Sequence, residues 1–205
     1  MAKPNFLILG GDHLRHDAMG WCGNPLALTP NLDALAERSM RFTQCFNQSP
    51  VCSPARHSLA TGQYAHRHGV VSNGDAPYVG MRTLGHLLAR EGYRRIDIGH
   101  MHWHTGGDDP ENPHHGFEPW QRRDGTFSET LSPAAQAWRQ AVQAGPVRRR
   151  TGGPAPGDRT EYPGYWDMQR AVAGLEACAA GDEPFLLWCA FSEPHPPFYP
   201  PREYY

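Results

Sequence analysis

The 205-residue sequence lacks several features that would assign it to a large class of proteins. No apolar run approaches the roughly 20 residues that a membrane-spanning helix needs, and the first apolar run is too short for a secretory signal. Basic residues are not in excess, because the chain has 19 Lys and Arg residues and 21 Asp and Glu residues. We therefore expect a cytoplasmic protein without a membrane partner, and one without the basic face that binds nucleic acid.

Paired cysteines are also lacking. The chain has an odd number of cysteines without regular spacing: Cys22, Cys45, Cys52, Cys178 and Cys189. A disulfide framework needs an even number at regular spacing, so we expect free thiols and a reducing compartment. Histidine, in contrast, is abundant, with 12 residues in the chain.

Three short apolar runs predict buried strands. They lie at residues 6–9, 94–98 and 184–191, and a weaker pattern at residues 42–46 predicts a further short strand. Helical patterns cover residues 30–39, 82–91 and 165–180. Continuous rather than alternating apolar strands are typical of a parallel sheet covered on both faces. The sequence thus predicts an α/β fold, a mostly parallel sheet between helices, with the first strand in a central position.

Residues capable of chemistry follow each predicted strand. Asp12 and His13 follow the first, His100 and His102 the second, and His195 the third. In an open α/β sheet, ligands bind just beyond the carboxyl ends of the strands. Asp12 beside an imidazole suits a divalent cation, with an ordinary side-chain-stabilised turn as the alternative. Alternate residues of an extended segment point the same way, so His100 and His102 either face an anion or form a metal pair.

Residues 51–57 place a cysteine at the start of a predicted helix. We expect Ser53 to cap this helix and Pro54 to take its first position. Cys52 then lies beside the unpaired N–H groups and the positive end of the helix dipole, with Arg56 about one turn away. This arrangement suits a nucleophile that faces a sulfate or phosphate oxyanion, although a buried structural cysteine has the same local pattern.

The segment Cys52-Ser53-Pro54-Ala55-Arg56 resembles the Cys-x-Pro-x-Arg signature of the sulfatase family, in the alkaline phosphatase superfamily. In that family a maturation enzyme oxidises the cysteine to formylglycine, whose hydrated aldehyde is the nucleophile. The resemblance therefore implies formylglycine at position 52 and a formylglycine-generating enzyme as a partner. Further segments that resemble family sequences are residues 29–33, 60–64, 116–118 and 194–204.

The resemblance also implies catalytic roles. Arg56 would stabilise charge on the transferred group, and His195 would protonate the departing alcohol. His102 would take a proton from the second hydroxyl of the hydrated aldehyde. His100 stands where the family has a lysine that contacts the sulfate, so an imidazole replaces a fixed cation.

A divalent metal ion is implied in the same way, with calcium as the first expectation and manganese or zinc as alternatives. Asp12 matches the first metal-binding aspartate of the family. His13 stands where the family has aspartate or glutamine, and Cys52, as formylglycine, completes the expected ligands from this chain.

Residues 105–164 differ in composition and predict a Gly-, Pro- and Arg-rich insert with one helix near residues 134–144. Such an insert is either a lid or a mobile loop, and residues 148–150, all arginine, either attract an anionic substrate or remain solvated. The family's further metal ligands come from sequence beyond this chain. We therefore interpret residues 1–205 as the N-terminal portion of an alkaline phosphatase-like domain that is truncated.

Together these features predict a sulfuric ester hydrolase that acts on a small-molecule sulfate monoester. One alternative is a phosphonate or phosphate ester hydrolase of the same superfamily, whose motifs tolerate Ala55 and loss of the lysine. A second alternative is a catalytically incomplete fragment that binds anions. Homo-oligomer formation is left open.

Overall fold

A computed structural model of the chain describes residues 3–102, 114–120, 132–144 and 152–205. The strands are β1 (Phe6–Gly11), β2 (Arg94–Gly99), β3 (Glu118–Pro119) and β4 (Phe185–Phe191). The α-helices are α1 (Pro30–Glu37), α2 (Cys52–Thr61), α3 (Ala65–His68), α4 (Leu84–Arg90), α5 (Pro133–Ala144) and α6 (Pro163–Ala179). Short 3₁₀ helices cover His16–Ala18, Gly20–Cys22, Arg159–Glu161 and Arg202–Tyr204.

The described strands form one parallel sheet in the order β1-β4-β2-β3. Strand β4 is buried on both faces because its successive side chains enter different cores. Leu186 and Trp188 pack with Ala60 of α2 and with residues of α4, whereas Leu187 and Cys189 pack against α6. Helices therefore cover both faces of the sheet, which confirms the predicted α/β architecture.

The register of the sheet brings three strand ends together. Gly11 of β1 pairs with Phe191 of β4, and Gly99 of β2 pairs with Ala190 of β4. Gly99 has a φ of +82°, and a Cβ atom there would lie 2.4 Å from the carbonyl oxygen of Ala190. Only glycine fits this close approach, which lets the chain turn sharply after β2. The residues that follow β1, β2 and β4 consequently meet at one edge of the sheet.

Strand β1 differs from the prediction in its position. It lies at an edge of the described sheet, where β4 is its pairing partner. Phe6, Leu7 and Leu9 expose 41%, 48% and 59% of their surfaces. Apolar composition predicts that a strand has apolar surroundings but does not say which segment supplies them. The strand itself is confirmed, and its central position within this sheet is wrong.

Helix α1 forms where it is predicted, but its apolar stripe is not buried. Leu32 is 45% exposed and Leu35 is 49% exposed. The helix is held at its start by Asp33, whose carboxylate accepts hydrogen bonds from the Trp21 N–H (2.8 Å) and the Thr29 hydroxyl (2.9 Å). Polar contacts within the segment therefore position α1, and the leucines remain on the surface.

The segment at residues 42–46 forms no strand, so that prediction is wrong. Phe42 and Phe46 are 69% and 75% exposed. A strand is stabilised by cross-strand neighbours, and none of the described strands pairs with this segment.

Helix α2 begins two residues earlier than predicted. Val51 is the N-cap and Cys52 the first helical residue, so the expected cap Ser53 lies inside the helix. The Ser53 N–H instead donates to the side-chain oxygen of Asn73, 2.9 Å away. A residue distant in sequence therefore satisfies this end of the helix. Gly62 ends α2 in the left-handed conformation (φ 66°), which glycine adopts without a steric penalty.

Helix α5 confirms the one helix predicted within the insert. The arginines at residues 148–150 lie outside the described residues, as do residues 103–113 and 121–131. All five cysteines are free thiols. None of the described helices is both long and apolar enough to cross a membrane.

Candidate active site

A cavity of about 970 Å³ lies at the edge where the strand ends meet. Its wall includes the residues that follow β1, β2 and β4 and the start of α2. The sequence-predicted residues in this wall are Asp12, His13, Cys52, His100, His102 and His195. Arg56 joins them through Asp12, because its Nη2 atom lies 3.4 Å from the Asp12 Oδ2 atom. The structure thus brings all seven predicted residues into one site.

Asp12 is a buried carboxylate, only 6% exposed. Burial acts to raise its pKa, but the Arg56 guanidinium, the Cys52 thiol and the nearby imidazoles outweigh burial and lower the pKa below 3.8. The group is therefore charged at neutral pH. Its Oδ2 atom accepts no hydrogen bond from the described residues, although Arg56 lies close by.

The Cys52 thiol is 8% exposed at the first position of α2. Burial, the negative charge of Asp12 and the hydrogen bond between the two side chains raise the pKa of Cys52, and Arg56 opposes them only in part. The thiol therefore stays protonated at neutral pH and is a poor nucleophile in that form. The positive end of the helix does not activate this sulfur.

His13 lies between Cys52 and His195. Its Nε2 atom is 3.5 Å from the Cys52 sulfur and 4.0 Å from the Asp12 Oδ1 atom. Its ring packs on the His195 ring with centroids 4.2 Å apart. His195 is exposed and its Nδ1–H donates to the carbonyl oxygen of Pro196 at 2.6 Å. This hydrogen bond orients the imidazole.

His100 and His102 turn towards each other after β2. Their Nε2 atoms are in hydrogen-bond contact, and their ring centroids are 3.8 Å apart. Met101 between them points the other way, into the core, and is 5% exposed. The predicted shared orientation of the two histidines is therefore seen in the structure.

The local sequence pattern does not single out several residues that line the cavity. Asn73 lies in the loop before α4 and also accepts the Ser53 N–H. Trp138 of α5 contacts Tyr199 edge-to-face, with centroids 5.0 Å apart. Tyr162, at the N-cap of α6, contributes to the same wall. The described part of the insert therefore forms one side of the cavity.

A second group of histidines lies behind α2, away from the cavity wall: His57, His68, His86 and His115. The rings of His68 and His115 lie 5.9 Å and 5.7 Å from the ring of His57. The His68 Nε2 atom is 2.9 Å from the Ser58 hydroxyl. His68 is only 1% exposed and lies in the interior.

The parallel sheet with these residues at its carboxyl edge agrees with the alkaline phosphatase-like fold that the sequence predicts. The sequence model of the sulfatase family matches residues 4–205. The chain therefore belongs to the sulfatase family.

Individual relatives agree with this assignment. The uncharacterized sulfatase YidJ of Escherichia coli is 33% identical over 216 residues, covering 100% of this chain and 41% of that protein. N-acetylgalactosamine-6-sulfatase of Mus musculus is 28% identical, covering 98% of this chain and 42% of that protein. The chain thus spans about two fifths of the length of these relatives. The solved phosphonate monoester hydrolase of Agrobacterium radiobacter superimposes with a TM-score of 0.77 at 26% identity, covering 98% of this chain and 43% of that one.

Proposed function

We propose that this chain carries the nucleophile-bearing part of a sulfuric ester hydrolase in which Cys52 is converted to formylglycine. The observation that carries the proposal is the position of Cys52, at the start of α2 beside Arg56 and Asp12. Its thiol is held protonated, so the unmodified side chain is poorly suited to attack. An aldehyde at the same position does not depend on thiolate formation. A formylglycine-generating enzyme is the partner that this step requires.

Asp12, His13 and the modified residue 52 would hold a divalent metal ion. The charged, buried Asp12 carboxylate fits such an ion because its Oδ2 atom accepts no hydrogen bond from the described residues. When bound, the metal would stabilise negative charge on the reacting oxygens.

The hydrated aldehyde would supply one hydroxyl that attacks sulfur as the bond to the alcohol breaks, and a second hydroxyl whose deprotonation releases sulfate. Arg56 and the N–H groups at the start of α2 would stabilise the charge that develops on the transferred group. His195 would donate a proton to the departing alcohol, and His102 would accept the proton of the second hydroxyl. His100, where protonated, would contact the sulfate.

A phosphonate or phosphate ester hydrolase is the second candidate function. It is favoured by the structural similarity to a phosphonate monoester hydrolase and by two residues that the motifs of such hydrolases tolerate, Ala55 and, in place of the family's lysine, His100. We propose a small-molecule sulfate ester as the first substrate class to be tested. We also propose a cytoplasmic location for the enzyme.

Intact mass spectrometry of protein co-expressed with a formylglycine-generating enzyme tests the central step. Conversion of Cys52 lowers the mass by about 18 Da, since sulfur and two hydrogens are replaced by one oxygen. Cys52→Ala should abolish the change and Cys45→Ala, a substitution of an exposed thiol, should not. Active protein with an unmodified Cys52 would contradict the aldehyde mechanism.

Parallel assays separate the candidate functions. Faster turnover of a sulfate monoester than of a phosphonate monoester supports the first, and the reverse order supports the second. Binding of inorganic sulfate without turnover of either ester would identify an anion-binding fragment.

A further inference from the structure

We propose that Ser53 is a positioning residue that holds His102 in place relative to position 52. Ser53 follows Cys52 in α2 and is fully buried, and Cys52 rather than Ser53 lies in the cavity wall. The proposal rests on the proposed function, in which His102 takes a proton from the hydrated aldehyde at position 52. It deepens that function, because it assigns a role to a residue that does not touch the reacting groups.

The polar groups of Ser53 connect α2 to two other segments. Its N–H donates to the side-chain oxygen of Asn73 at 2.9 Å, which ties α2 to the loop before α4. Its hydroxyl donates to the His102 carbonyl oxygen at 3.4 Å, which ties α2 to the turn after β2. Because Ser53 is bonded directly to Cys52, a shift of either segment relative to the nucleophile position would break one of these contacts.

The tautomer of His57 leaves the Ser53 hydroxyl to His102. The His57 Nδ1 atom lies 2.8 Å from the Ser53 carbonyl oxygen and 3.4 Å from the Ser53 hydroxyl oxygen. A carbonyl oxygen can only accept a hydrogen bond, so Nδ1 carries the proton in the shorter contact. A protonated Nδ1 cannot accept from the hydroxyl. The His102 carbonyl oxygen is then the acceptor that the described residues offer to this hydroxyl.

The backbone of His102 needs contacts of this kind. Its φ of 54° is a left-handed conformation, which few residues other than glycine adopt. A residue keeps such a conformation only where the surrounding structure fixes it. Before His102, the segment is fixed by the His100 N–H, which donates to the Ala190 carbonyl oxygen at 2.8 Å, and by Met101, which packs in the core. The Ser53 hydroxyl adds a contact at His102 itself.

The position of His102 matters for the release of sulfate. In the proposed mechanism the alcohol leaves first, with a proton from His195. His102 then takes the proton of the second hydroxyl as the carbon–oxygen bond to sulfate breaks, so that the aldehyde re-forms and sulfate departs. A base displaced by about 1 Å can cost about 10²-fold in rate. Displacement of His102 would therefore slow the second step and leave the first unchanged.

Kinetics of Ser53→Ala in protein that carries formylglycine test this consequence. The substrate is an aryl sulfate ester, whose phenol leaves readily, so that sulfate release limits turnover. We expect kcat and KM to fall together by about tenfold, with kcat/KM changed by less than about twofold. The phenol should appear in a burst of about one equivalent per chain before the steady state. An unchanged kcat, or a fall in kcat/KM without a burst, would overturn the proposal.

Ser58→Ala is the matched control variant. Ser58 is a buried serine of the same helix, but its hydroxyl lies 2.9 Å from the Nε2 atom of His68, away from the cavity wall. Both variants lose one buried hydroxyl, so their melting temperatures should fall by similar amounts. Ser58→Ala should nevertheless keep the kcat of the unaltered protein. An equal loss of kcat in Ser58→Ala would show that the stability of α2, rather than the contact with His102, is the cause.

NMR spectroscopy of the unaltered 205-residue protein, with Cys52 unmodified, needs neither turnover nor a variant. We expect the Cα chemical shift and the three-bond amide coupling of His102 to be those of a left-handed residue. The Ser53 hydroxyl proton should exchange slowly with water, because it is buried and donated to His102. A rapidly exchanging hydroxyl, or an extended φ at His102, would overturn the proposal.

The same spectra of the two serine variants separate this proposal from the proposed function. The backbone signals of His102 should move in Ser53→Ala and stay in Ser58→Ala. Unmoved signals in Ser53→Ala would overturn the positioning role, whether or not the protein is active. Absence of ester turnover in the unaltered protein would contradict the proposed hydrolase, and the His102 signals would still decide whether Ser53 holds that residue.

Discussion

Two groups of histidines flank α2 and differ in what they face. The cavity group consists of His13, His100, His102 and His195, and the buried group consists of His57, His68, His86 and His115. Members of the cavity group contact one another and the site residues Asp12 and Cys52. Within the buried group, hydroxyl groups and backbone carbonyls serve as hydrogen-bond partners. The same kind of side chain therefore lines a cavity in one group and fills the interior in the other.

The same spacing gives opposite results in two places. His66 and His68 are two apart on a helix, where such residues do not face each other, so one is exposed and the other buried. His100 and His102 are two apart on an extended segment, and their rings meet. Backbone conformation, rather than spacing, decides whether two histidines form a site.

Substitution of His195 should produce the largest effect. His195→Ala should lower kcat by about 10²–10⁴-fold, because a general acid contributes that much to proton transfer. The loss should be greater for a sulfate ester of an alkyl alcohol than for one with a good phenolic leaving group, since the latter needs little protonation. Steady-state kinetics on both esters checks this. The same loss for both substrates would contradict the acid role, and an unchanged melting temperature is the control.

Substitution within the buried group should act on stability instead. His57 is fully buried, and its Nδ1 atom lies 2.8 Å from the Ser53 carbonyl oxygen. His57→Ala should lower the free energy of unfolding by about 2–4 kcal/mol, through a cavity and a lost hydrogen bond. Urea unfolding monitored by circular dichroism measures it. The matched variant His66→Ala removes an exposed imidazole, and an equal loss there would show that burial is not the cause.

The buried group should also make stability depend on pH. Burial, with a smaller contribution from His66, lowers the pKa of His68 below 6.5. At pH values between the lowered pKa of His68 in the folded protein and its ordinary pKa in the unfolded chain, the unfolded chain therefore binds a proton more readily than the folded one. Stability is full above pH 6.5 and should fall as the pH drops from there through the folded pKa.

His68→Gln keeps a polar partner for Ser58 but cannot be protonated, so it should flatten this part of the pH profile. Melting temperatures between pH 7.5 and pH 5 compare the two proteins. A profile as steep in the variant as in the unaltered protein would exclude His68 as the titrating group.

The smallest effect is expected at His66 itself. Its ring stacks on the exposed Tyr64 with centroids 6.0 Å apart. His66→Gln should leave stability and turnover of a sulfate ester unchanged within error, because both groups are solvated. A loss comparable to that of His57→Ala would show that the division into cavity and buried groups is wrong.

Much of the site was predictable because parallel strands present their carboxyl ends at one edge. Three apolar runs, each followed by polar residues, predicted that Asp12, His100 and His195 lie close together, and the structure confirms it. Asn73 escaped prediction because it lies in a loop without a periodic pattern, and only the folded chain brings it to the Ser53 N–H.

Errors arose where a local pattern depends on a distant neighbour. The apolar strand β1 was expected in the centre of the sheet, and Ser53 was expected to cap α2. Both predictions used only neighbours in sequence. The position of a strand in a sheet and the partner of a helix N–H are set by segments many residues away.

The sequence by itself determined the family, the strands of the sheet, the helices that cover its two faces, and the identity of the residues at the strand ends. These follow from periodicity and from the Cys-x-Pro-x-Arg motif, which are properties of adjacent residues. Only the tertiary structure decided that the Cys52 thiol is held protonated beside Asp12, and that His100 and His102 meet near that carboxylate. Burial and electrostatic interaction depend on distances through space, which a one-dimensional pattern does not contain.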